Sequence, residues 1–106
     1  MTTLRDRGEG FENKFAHDQE LEFRVTARRN RLLGLWAAEK LGRMGAEAEA
    51  YAREVIEADL KEAGDEDVIA KLMADFAAAG VLVSRAELLE AMAARRAEAR
   101  AQLGLE

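Results

Sequence analysis

The sequence predicts an all-α protein: a compact four-helix bundle with a long first helix and a flexible N-terminal arm. Three observations carry that expectation. The 106 residues include no proline, alanine is the commonest residue, and Val, Ile and Thr are few, a composition that favours helix over sheet. Apolar residues recur at helical spacings in four blocks, and no stretch alternates cleanly at period two. Glycines follow those blocks, at Gly42 and Gly45, Gly64, Gly80 and Gly104, where a helix commonly stops.

The first helix is predicted over residues 18–41. Leu21, Val25, Leu32, Leu35 and Trp36 share one face, with Trp36 expected in the core, and Phe23 falls off that face. Upstream the pattern weakens. Phe11 and Phe15 are four apart, but Gly8 and Gly10 precede them, each unfavourable in a helix by about 1 kcal/mol. Residues 1–16 are therefore expected as a mobile arm and residues 17–106 as the folded domain.

The second helix is predicted over 46–63, with Tyr51, Ala52, Val55, Ile56 and Leu60 as its apolar stripe. The third, over 66–79, starts after Asp65 as N-cap and buries Val68, Ile69, Leu72, Met73 and Phe76. The fourth begins at Ser84, with Glu87 three residues later in a capping-box pattern. It extends to about 103 and buries Leu88, Leu89, Met92, Ala99 and Leu103. Short connections favour antiparallel neighbours.

Composition excludes several functions. There is no cysteine, so neither a disulfide framework nor a thiolate nucleophile is available. The N-terminus is charged and lacks an apolar run, unlike a secretory signal. No stretch approaches the roughly 20 apolar residues of a membrane span. The net charge is −5 but polarised: residues 20–43 carry six basic and three acidic groups, residues 44–83 three and ten. That balance argues against nucleic acid as partner.

Catalysis finds little to work with. Ser84 is the only serine and is already a cap; His17 is the only histidine. No triad, metal set or phosphate loop can be assembled, so the chain is read as a non-enzyme without cofactor or metal. His17 with Asp18, Glu20 and Glu22 does not converge at helical spacings, and Asp65, Glu66 and Asp67 are explained by the dipole of the helix they start. Arg24, Arg28 and Arg31, from the run "ARRNR" and its neighbour, share a helical side. They are candidate secondary contacts, or a solvated face paired with the acidic second helix. Phe11, Phe15 and Phe23 are either core or aromatic anchors of an arm that folds into a partner's groove. A small-molecule-binding bundle, sensing a nucleotide near Trp36 and the arginines, is the alternative from another class.

The stretch "FENKFAHDQELEFRVTARRNRLLGLWAAEKLG", with "AEAYAREVIEADLKEAGDEDV" and "AGVLVS", resembles the inhibitor zeta subunit of alphaproteobacterial F-type ATP synthases, once a domain of unknown function. The resemblance implies a four-helix protein that inhibits ATP hydrolysis. Its N-terminal arm would fold as a helix between the α and β subunits, contact the γ stalk and block rotation. It implies a cytoplasmic protein, peripheral to the inner membrane through the synthase. Leu4 and Arg5 lie in the implied arm, about Met1–Gln19. Phe11, Glu12, Asn13, Lys14, Phe15, Ala16 and His17 match the family pattern directly. Gly8 and Gly10 depart from it and raise the ordering penalty by about 1–2 kcal/mol.

Overall fold

The computed structural model describes residues 3–60 and 64–105, with side chains from His17 onward. Four helices follow in order: α1 (Thr3–Lys40), α2 (Ala46–Asp59), α3 (Glu66–Ala79) and α4 (Arg85–Gln102). Among the described residues there is no strand.

The third and fourth helices follow the residues expected to cap them, Asp65 and Ser84. Ser84 Oγ accepts from the Glu87 amide at 3.0 Å, and the Glu87 carboxylate takes the Ser84 amide, completing the capping box. Asp65 occupies the N-cap position of α3 but makes no cap bond; its carboxylate is taken by Arg29 instead. Gly80 closes α3 in the left-handed region at φ 71°, where a side chain would be strained.

The first helix departs most from expectation. It starts at Thr3, fifteen residues before the expected residue 18, and runs through Gly8 and Gly10. Those two glycines weaken a helix by about 1 kcal/mol each, and good helix formers surround them. Of residues 1–16, expected as a mobile arm, the structure describes the helical path from Thr3 onward and no side chains.

The core is built from Leu33, Ala37 and Ala38 of α1, Tyr51 and Val55 of α2, Val68, Ile69, Leu72 and Phe76 of α3, and Leu88, Ala91 and Met92 of α4. Burying a side chain of Leu or Phe size contributes about 1.5–3 kcal/mol. Trp36 packs against this cluster at its edge, half-buried, with its ring edge-to-face on Phe76 at 6.0 Å and 89° and Lys40 5.1 Å over it.

The stripes shift in detail. On α1 the fully buried row is Val25, Arg29, Leu33 and Ala37, four apart, so Leu21, Leu32 and Leu35 are only half-buried. Leu60 lies past the end of α2 and is exposed, as is Leu89 of α4, while Ile56, Met73 and Leu103 are half-buried. The cause is common to these cases: a 100° step per residue spreads a stripe around the helix, and only its centre meets the neighbours.

Helices α1 and α2 touch closely at Gly34. A Cβ there would stand 2.6 Å from Ala52 Cα and 3.3 Å from a Val55 methyl. No conformational demand explains this glycine, since its φ is ordinary. The backbone approach does.

Candidate functional site

The site begins where α1 leaves the bundle. His17, Asp18, Gln19 and Glu20 are all exposed. Glu22 is held to α4 by the guanidinium of Arg96, with Arg100 at 3.5 Å. Arg28 donates to Gln102 of α4 at 3.2 Å. Among the described side chains Val25 is the first with no exposure.

A buried polar network fixes the same stretch to the α2–α3 connection. Arg29 is only 4% exposed. Its Nε and Nη2 donate to Asn30 Oδ1 at 3.1 and 2.7 Å, and Nη2 also to Asp65 Oδ1 at 2.9 Å. Asn30 Nδ2 donates to Asp59 Oδ2 at 2.9 Å. A buried guanidinium needs such partners. Sequence reading placed Arg29 in a surface basic run and gave Asn30 no role. The available signal was the spacing of four from Val25 through Arg29 to Leu33.

Arg24, Arg28 and Arg31 do share a side. They line an open cleft of about 560 Å³ with Phe23, Leu32, Ile56 and Leu103. Each has a partner: Arg24 meets Glu20 at 3.5 Å, Arg28 meets Gln102, and Arg31 holds Glu49 with 2.9 and 3.0 Å bonds. The Arg31–Glu49 pair matches the expected pairing with the acidic second helix.

Leu4, Arg5, Phe11, Glu12, Asn13, Lys14 and Phe15 lie among the residues whose side chains are outside the description; His17 is exposed. Their register along the unbroken helix is nonetheless informative. Leu4, Phe11 and Phe15 are spaced by seven and four, and Glu22, Arg29 and Leu33 continue by seven, seven and four. Such steps keep residues on one side of a helix. After Glu22 that row meets the bundle.

Among the described residues no three His, Cys, Asp or Glu side chains are grouped as a metal site, and no helix is long and apolar enough to cross a membrane. The expectation that Phe23 falls off the buried face holds: it is 64% exposed.

A model of one protein family matches residues 1–102, the arm together with the bundle. The chain belongs to the family described as ATPase inhibitor subunit zeta. The family's members are inhibitors by description. A protein solved in solution by NMR is similar: 46% identical, covering 78% of this chain and 94% of that one, with a TM-score of 0.71. Comparison with curated proteins finds no match.

Proposed function

We propose that this protein inhibits ATP hydrolysis by the F-type ATP synthase by inserting the N-terminal part of α1 into the catalytic head, between the α and β subunits and near γ. Membership of the inhibitor family supports the target. The observation that carries the mechanism is the register of α1. A helix whose apolar row continues beyond the bundle, as Leu4, Phe11 and Phe15, offers the anchors used in helix-in-groove recognition. Arg5, Glu12, Asn13, Lys14 and His17 would flank that row and set orientation. Residues 1–16 are then the inhibitory arm, and residues 17–106 the body that holds it. The body works from the cytoplasmic side, peripheral to the membrane through the synthase.

ATP hydrolysis by purified synthase, titrated with the full chain and with a chain lacking residues 1–16, tests this reading. The full chain should inhibit to saturation. The truncated chain should melt as before and inhibit not at all. Equal inhibition by both would overturn the arm's role, and no inhibition by the full chain would overturn the function.

A further inference from the structure

Phe23 is 64% exposed and Leu60 is 67% exposed, two large apolar side chains on one open cleft of about 490 Å³. Half-buried Ile56 lines the same cleft, as do Asp59, Gly64 and Asp65. Phe23 also walls the neighbouring cleft with Leu32 and Leu103. Exposed apolar groups gathered in a concavity mark interaction surfaces more often than scattered ones do. Met44 and Leu82, also exposed, stand singly in connections between helices.

We propose that the Phe23–Leu60 patch is a second docking surface for the ATPase head, seated on an apolar, cation-flanked site at the rim of the pocket that takes the arm. The inference rests on the arm reading above. The helix supplies the reason. Phe23 stands six residues beyond His17 on the same unbroken α1, about 9 Å along the axis. A continuous helix has no slack, so a partner that takes the arm as far as His17 brings its rim to Phe23. Charge selects the rim's chemistry. Two carboxylates line the cleft, Asp59 and Asp65, and Asn30 and Arg29 hold them in place. Apolar contact beside cations complements that surface.

The test uses the full chain with Phe23→Ala and Leu60→Ala combined, titrated against ATP hydrolysis by purified synthase head. The concentration for half-inhibition should rise about tenfold, with maximal inhibition still reached and the melting curve unchanged. Leu60→Ser alone carries the same test where the double variant melts early, with a smaller rise. Unchanged half-inhibition by a folded variant overturns the proposal. So does a native dimer in light scattering that the variant loses while inhibition holds, because the patch then belongs to a second copy. Failure of the arm reading is seen separately, as full inhibition by the chain lacking residues 1–16.

Discussion

Helix α1 divides at Glu22 into two stretches of 19 residues, Thr3–Leu21 and Glu22–Lys40. The second carries the packing. Val25, Leu33, Ala37 and Ala38 are buried, Arg29 and Asn30 are bonded across to Asp65 and Asp59, and Gly34 lies against Ala52. In the first, the described side chains from His17 to Glu20 all face water. Yet one row of positions runs through both, with Phe11 and Phe15 upstream in the register of Arg29 and Leu33. The difference teaches that helical periodicity assigns a face and does not assign what covers it. For Leu33 the cover is the apolar core it shares with residues of α2, α3 and α4; for Phe15 the proposed cover is another protein.

Two truncations in that row should separate the stretches most sharply. Leu33→Ala removes a side chain with no exposure and should destabilise the fold by about 2–5 kcal/mol, with the folded fraction still inhibiting. Phe15→Ala should do the opposite, leaving the melting curve in place and weakening inhibition by about 1–3 kcal/mol. Thermal melts and hydrolysis titrations on the same samples check both. A Phe15→Ala variant that melts early and inhibits normally would make the row continuous in role as well as register.

The helix count, the start of α3 and the capping box of α4 were legible in the sequence because they depend on local chemistry: a glycine stop, a serine with glutamate three residues on. The stripe of α1 was legible only in part. Val25 and Trp36 were both assigned to the core, where Val25 is buried and Trp36 stands half-buried at the edge, but Arg29, Asn30 and Gly34 were not. A buried arginine reads as a surface one until its acceptor Asp65, 36 residues away in sequence, is brought beside it. Gly34 reads as a weak point in a helix until Ala52 stands against it. Asp65 was named as a cap by residue type, and Arg29 competed for its carboxylate. For the arm, the aromatic spacing was visible, and the resemblance to an inhibitor family supplied the meaning that periodicity lacks.

Gly34→Ala probes the packed stretch with a smaller change. Alanine favours the helix by up to about 1 kcal/mol, but its Cβ would meet the Ala52 Cα at 2.6 Å. Backbone cannot turn aside as a side chain can, so α1 and α2 must separate. A net loss of about 1–3 kcal/mol is expected, with inhibition unaltered in the folded protein. A stabilised variant would show that the two helices slide apart freely.

The smallest expected effect lies at Tyr51, remote from the arm. Its ring is fully buried, its hydroxyl donates to Asp75 Oδ2 at 2.7 Å, and Lys71 and Arg43 stand over it at 5.0 and 4.9 Å. Lys71 Nζ also donates to Asp75 at 3.1 Å and to Glu54 at 3.0 Å. Tyr51→Phe should therefore cost only about 0.5–1.5 kcal/mol at neutral pH, because Asp75 keeps Lys71 and is partly open to water. The pH dependence identifies the source. Burial, then the bond to Asp75, raises the phenol well above its ordinary 10.0. For Lys71 burial pulls downward, but the bonds to Glu54 and Asp75 outweigh it and raise the ammonium above 10.5. Both folded values exceed the unfolded ones, so both contributions are whole below those pH values and are lost as pH rises past them. Removing the phenol removes its share of that loss. The native protein and the variant should thus converge in melting temperature above pH 10, while their inhibition at neutral pH stays equal. Parallel alkaline slopes would mean that the Tyr51 hydroxyl gives up its proton as readily folded as unfolded, and a change in inhibition would join this region to the arm after all.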